Sequence, residues 1–366
     1  MPLLLEVNKL LYLKDGYGVS LAFSGVQYPL SSLTFESISI CEHVTFALPT
    51  LELRLKDVKS SLFEKYELGD GTTAELIIEN NGIRDSMRFS VTGYLGEDAG
   101  RTIIISGILD YPKMLERSSI YINGTSSDAI TAIGADCGFK TIVTTPTDDA
   151  QGWLPTLATG AQRCKEIASV SFRSTGVMLF GVTSLGELLY VDMNKTIMDN
   201  PFPVSTHPTP DKNFIVTSWF PRTYNGVLNH WGGYGFKVNT TGLDYAQNVI
   251  TESPVTKRGL ALNVSKSGGR IGFTNMDCGN THNRYDQAFQ SNKRNKALYS
   301  IDGVIVCSHI LRDLNLLSAI DLTCDLRHTG RYLITGRTKF ISGTSYYDKF
   351  ELSSNSFNLN KQGRLT

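Results

Sequence analysis

Alternation of apolar and polar side chains at both ends of the chain constrains its fold more than any other feature. Leu51, Leu53 and Leu55 alternate with Glu52, Arg54 and Lys56, and Met87, Phe89 and Val91 alternate with Arg88, Ser90 and Thr92. Successive side chains of a strand point to opposite faces, so this pattern belongs to strands with one face buried. Apolar runs at Leu76-Ile77-Ile78 and Ile103-Ile104-Ile105 add strands, and Gly69-Asp70-Gly71 and Asn80-Asn81-Gly82 supply turns. Residues 1–111 therefore read as antiparallel hairpins forming a small barrel or sandwich. Residues 296–366 read the same way, with strands at Gly303 to Val306, Ala319 to Leu322, Tyr332 to Ile341 and Tyr346 to Leu352.

The centre differs. In residues 112–193, Ser126-Ser127-Asp128 precedes Ala129, Ile130, Ile133 and Gly138, which predicts a short capped helix. Trp153-Leu154-Pro155-Thr156 leads into a second predicted helix, with Leu157, Ala161, Cys164, Ile167, Ala168 and Ser171 along one face. Strands return at Val177 to Phe180 and Leu188 to Val191. Residues 194–295 are Pro-rich at first and then rich in Gly, Asn, Tyr and Thr, which predicts a loop followed by an irregular insertion. The expected fold class is mainly β with a few helices (α+β): two β-modules with helical and irregular segments between them.

The two ends share a hexapeptide. Arg88-Phe89-Ser90-Val91-Thr92-Gly93 parallels Arg331-Tyr332-Leu333-Ile334-Thr335-Gly336. Each follows a turn ending in glycine, Gly82 or Gly330, and another strand begins ten residues beyond the closing glycine. The pattern turns one face inward and lets the chain bend at the glycine. Two copies of one module have a geometric use: a homotrimer then presents six similar modules, matching a sixfold partner on one side and a threefold one on the other. Two unrelated hairpin-rich domains would give the same alternation, and the sequence leaves both open.

Charge excludes one broad class. Lys plus Arg and Asp plus Glu each number 35, so no net basic surface is available for general nucleic-acid binding. The basic stretch Lys293-Arg294-Asn295-Lys296 reads as solvated surface. Charged residues are 19% of the chain, below the roughly 25% of ordinary globular proteins, which fits extensive buried or subunit-contacting surface. The cysteines (Cys41, Cys137, Cys164, Cys278, Cys307, Cys324) are scattered without a C-x-x-C pair and read as reduced, mostly buried thiols. The run Met1 to Val7 lacks a basic start and a cleavage site, and no stretch approaches a membrane span of about 20 apolar residues. A soluble protein made in the cytoplasm is expected.

No catalytic constellation is legible, so an enzyme is not expected. The chain has no H-E-x-x-H, G-x-S-x-G, P-loop or G-x-G-x-x-G motif, and its histidines are far apart. Asp277, Cys278 and His282 could approach a metal, yet they lack a fourth ligand and a supporting shell. Glu64 and Asp70, considered as a hydrolase pair, show only strand and turn chemistry. Asp148 and Asp149 complement a helix N-terminus better than they mark a cation site. Catalytic, cofactor and metal residues are thus none. The sequons at Asn123, Asn194, Asn239 and Asn263 are expected to stay unmodified. Trp219, Trp231, Tyr234 and Phe236, aromatics among glycines, are the candidate partner-contact residues.

Three stretches resemble one family. They are Gly107-Ile108-Leu109-Asp110 running through Lys113 into the Ser126-to-Cys137 helix, Thr147 to Thr156, and Gly330 to Gly336 with its hairpin return to Phe350-Glu351-Leu352. Together they resemble the contractile-tail baseplate hub proteins shared by tailed bacteriophages and type VI secretion spikes. The resemblance implies two tube-like modules per chain and a homotrimer forming a pseudo-hexameric ring. It further implies joining of a sixfold tail tube to a threefold central spike, contact with other baseplate proteins, and an axial channel that DNA crosses only as cargo. The implied location is the virion tail baseplate, assembled in the bacterial host cytoplasm. The competing reading is a β-rich receptor- or carbohydrate-binding tail protein that uses the aromatic stretch.

Overall fold

The computed structural model describes residues 10–12, 17–44, 47–57, 61–69, 71–80, 82–97, 101–171, 173, 178–199, 201–207, 216–222, 236–244, 249–257, 272–277, 301–307, 314–324, 329–343 and 346–354. The chain is mainly β with a few helices. Its first module contains β1 (Leu11–Tyr12), β2 (Gly18–Phe23), β3 (Val26–Tyr28), β4 (Phe35–His43) and β5 (Thr50–Lys56), then a short helix α1 (Ser61–Tyr66). It ends with β6 (Thr73–Asn80), β7 (Ile83–Glu97) and β8 (Thr102–Leu109). Alternation dictates the faces: Leu51, Leu53 and Leu55 of β5 are buried while Glu52 and Lys56 are exposed.

A 3-10 turn (Pro112–Met114) leads into the α+β segment: β9 (Ile122–Gly124), α2 (Ser126–Cys137), β10 (Thr141–Thr144), β11 (Gln151–Trp153), α3 (Gly160–Val170), β12 (Met178–Val182), β13 (Glu187–Asp192) and α4 (Met193–Met198). Helix α2 starts at a capping box between Thr125 and Asp128 and stops at Gly138, whose φ of 83° suits a residue without Cβ. The sequence places the second helix's entry too early. Its N-cap is Thr159, boxed with Gln162, so Leu157 lies ahead of the helix and is 81% exposed. Trp153 belongs to β11, where it is buried and its Nε1 donates to the Gly124 carbonyl at 3.0 Å. Residues 194–205, expected as loop, carry most of α4 and a further strand, β14 (Phe202–Ser205).

Arg163 of α3 ties this segment together. Its side chain is buried and donates to Ser118 Oγ at 3.0 Å and to the carbonyls of Trp153 and Leu154 at 3.2 and 3.3 Å. Arg163→Ala strips three acceptors of their donor, two of them buried, and is expected to cost about 1–3 kcal/mol in urea unfolding.

The rest of the chain supplies β15 (Val216–Arg222), β16 (Phe236–Asp244), β17 (Val249–Lys257), β18 (Gly272–Asp277), β19 (Ile301–Cys307), β20 (Ala319–Thr323), β21 (Gly330–Ser342) and β22 (Tyr346–Ser354). One sheet runs through both ends of the chain in the order β1-β2-β6-β7-β8-β5-β4-β21-β22-β19-β15. Strands β14 and β15, which the sequence groups with the irregular insertion, pair with β20 and β19 and so belong to this sheet. Strands β17-β16-β18 form a separate small sheet. One apolar core runs beneath the first module and the α+β segment, and a second, around Tyr332, Ile334 and Phe350, underlies the C-terminal strands.

Candidate functional site

Register shows why the hexapeptide recurs. In β7, Val91 pairs with Gly107 and Gly93 with Ser106, leaving Thr92 as a bulge. In β21, Ile334 pairs with Leu352 and Gly336 with Glu351, leaving Thr335 as the same bulge. Both threonine hydroxyls lie within hydrogen-bond distance of the partner carbonyl across it, Thr92 to Ser106 at 3.3 Å and Thr335 to Glu351 at 3.4 Å. Phe89 and Val91, like Tyr332 and Ile334, face the core. Stepping outward strand by strand, β8 matches β22, β5 matches β19 and β4 matches β15. A second coincidence follows, because the β4–β5 ladder bulges between Phe35 and Ser37 and the β15–β19 ladder between Val216 and Ser218. These positions correspond once Ser106 is equated with Glu351. Two bulges and one side-chain bond at matching positions make β4-β5-β8-β7 and β15-β19-β22-β21 two copies of one four-stranded unit. Segment 223–300 occupies the place of the short β4–β5 connection.

The units meet at a seam where β4 pairs antiparallel with the second half of β21, from Gly336 opposite His43 to Ser342 opposite Ser37. Charge is buried along it. Arg337 and Asp348 are ion-paired at 2.7 Å with side chains 2% and 0% exposed. Asp348 also accepts from Tyr346, whose ring stacks on Tyr17 at 4.6 Å. Lys339 lies 3.6 Å from Glu42 and donates to Ser184 Oγ at 3.0 Å, and the Ser184 amide donates to Glu42 at 2.9 Å. Burial alone would raise the Glu42 pKa, but the charges of Lys339 and Arg337 and the bonds from Ser184 outweigh it and hold the group below its ordinary value. Lys339 is held below its own ordinary value by burial and by Arg337, against the pull of Glu42 and Asp348. A carboxylate whose folded pKa lies below its unfolded value adds stability above the unfolded pKa and loses it as pH falls through the folded one. Stability is therefore expected to fall below about pH 4, under the ordinary glutamate value of about 4.3, and Glu42→Gln to flatten that part of the pH profile.

Solved structures share the overall fold. The tail protein from Neisseria meningitidis MC58 superposes with a TM-score of 0.61 at 14% identity, covering 93% of this chain and 97% of its own. The 43 kDa tail protein of prophage MuSo2 from Shewanella oneidensis gives 0.62 at 13% identity, covering 92% and 96%. The chain has the tail-protein fold. A type VI secretion component of E. coli, the c3393 protein, described as structurally similar to T4 bacteriophage tail proteins gp27 and gp5, gives 0.51 at 11% identity, covering 91% and 76%. No family model and no curated protein matches the sequence.

Within this tail-protein fold the predicted contact residues separate. Trp219 is half-buried in β15 and meets the Tyr332 ring edge-on, with centroids 5.8 Å apart. Phe236 opens β16 in the small sheet, opposite Lys257 and Gly272. Trp231 and Tyr234 lie outside the described residues, as do Asp70, Cys278, His282 and the basic stretch at Lys293. Asp149 caps a helix, though α2 rather than the following one: its carboxylate accepts from the Ser126 amide at 2.9 Å. Among the described residues no cluster of three His, Cys, Asp or Glu side chains is placed to hold a metal ion, and no helix is long and apolar enough to cross a membrane. Sequence reasoning missed the seam, because no strand was read over Glu42 and the charges of Arg337, Lys339 and Asp348 were not considered within theirs. Alternation continued from Tyr332 and Ile334 puts Arg337 and Lys339 on the outer face, and the bulge at Thr335 is what turns them to the buried one.

Proposed function

We propose that this chain is a non-enzymatic structural hub of a phage-type tail baseplate. Three copies form a pseudo-hexameric ring that joins a sixfold tail tube to a threefold central spike, with an axial channel that DNA crosses as cargo. The carrying observation is the duplicated four-stranded unit with matching bulges, since two units per chain convert threefold into near-sixfold symmetry. The fold shared with tail proteins and with a type VI secretion component supports the same reading. In this reading its partners are itself, the tube protein, the spike protein and other baseplate proteins, and its place is the virion tail, assembled in the host cytoplasm. Mass measurement in solution tests it. The expected result is a trimer, or a monomer that becomes a ring on mixing with its tube or spike partner; a monomer indifferent to both overturns the proposal.

A further inference from the structure

The duplication leaves one position of the pattern unfilled at each end of the chain. In the second unit, the half of β21 beyond the bulge is flanked on its outer side by β4. In the first unit, the corresponding half of β7, residues 92–97, pairs with β8 on one side and has no strand on the other among the described residues. At the opposite end of the sheet, β15, the counterpart of β4, pairs with β19 and has no second strand among the described residues. The glycines report the same asymmetry. A Cβ on Gly336 would lie 2.6 Å from His43 of the incoming strand, whereas one on Gly93 would meet nothing within 4 Å. Beside that space Phe63, Tyr94 and Leu95 are 37%, 53% and 60% exposed, with Phe63 and Tyr94 packed edge to face at 4.9 Å, and Phe220 on β15 is 58% exposed. A sheet edge carrying apolar side chains is a template for another strand.

We propose that β15 of one copy pairs antiparallel with residues 92–97 of a second copy, repeating between chains the seam that β4 and β21 form within one. The inference rests on the proposed ring and names its joint. Carrying the β4–β21 register across sets Leu95 opposite Arg222, Gly96 opposite Pro221 and Glu97 opposite Phe220. Leu95 and Phe220 then become diagonal neighbours on one face, within reach of each other. The contact is head-to-tail, so a chain offers one edge and receives the other, and closure depends on the rotation between copies.

Two single-cysteine variants of the full chain, Glu97→Cys and Phe220→Cys, test the joint with a short bismaleimide, the wild-type chain serving as background for the native thiols. Mixed, they are expected to give a covalent dimer that neither gives alone above background. In a second arm, Gly93→Leu is expected to keep the wild-type melting temperature and weaken self-assembly at least tenfold. A ring that forms without the cross-link, or with Gly93→Leu undiminished, overturns this joint and leaves the ring standing. A chain that stays monomeric with and without its tube or spike partner overturns both.

Discussion

Asp348→Ala is expected to destabilise the chain by about 3–5 kcal/mol in chemical denaturation, because it leaves the Arg337 guanidinium charged and buried without its carboxylate. The Glu42 carboxylate still acts on Arg337 from farther off, and nearby stand the Asn315 side-chain oxygen at 3.2 Å and the face of Phe350, 5.4 Å from the guanidinium carbon to the ring centroid. The same change removes the acceptor of the Tyr346 hydroxyl, so the Tyr346–Tyr17 stack loses an anchor as well. Replacing both partners, Arg337→Met with Asp348→Leu, removes both buried charges and is expected to recover most of that loss. A double variant as unstable as Asp348→Ala would mean that the pair acts through geometry rather than through charge compensation.

Gly336→Leu is expected to cost roughly 3 kcal/mol and to loosen the seam. Its Cβ would stand 2.6 Å from His43 Cδ2 and 3.3 Å from Glu351 Cβ, and these two side chains are themselves 3.5 Å apart as an ion pair when His43 is protonated. His43 belongs to β4 and Glu351 to β22, so the added side chain presses on both flanks of β21, and overpacking of this kind costs about 1–3 kcal/mol, at times more. Limited proteolysis together with urea unfolding would read both effects. His43→Ala in the same chain is expected to restore part of the loss, which separates a local clash from a general distaste for leucine at the bulge.

The strands were legible where one face is core and the other water, as in β5 and the middle of β7, since alternation there reports burial directly. The hexapeptide was legible because its positions are constrained in different ways. The aromatic and the β-branched residue face inward, threonine spans the bulge, and glycine follows it. The other half of the duplication was hidden. Phe35-Glu36-Ser37-Ile38-Ser39-Ile40 and Val216-Thr217-Ser218-Trp219-Phe220-Pro221 hold matching registers with little identity, because register is held by backbone pairing that many side chains permit. Segment 223–300, lying between β15 and β19, further separated strands that the first unit joins by a short turn. Among the candidate contact residues, Trp219 is half-buried against the Tyr332 ring, a contact between two strands far apart in sequence.

The seam within the chain carries Arg337 and Lys339, while Tyr94 and Gly96 stand at the matching positions of the first unit. In a ring of three copies the six joints would then alternate, three welded by buried charge inside a polypeptide and three clasped by backbone and a few apolar side chains between polypeptides. Such a hexagon has a built-in line of weakness at every second corner. Under load it would open into three rigid arcs rather than six loose modules, keeping threefold order as it yields.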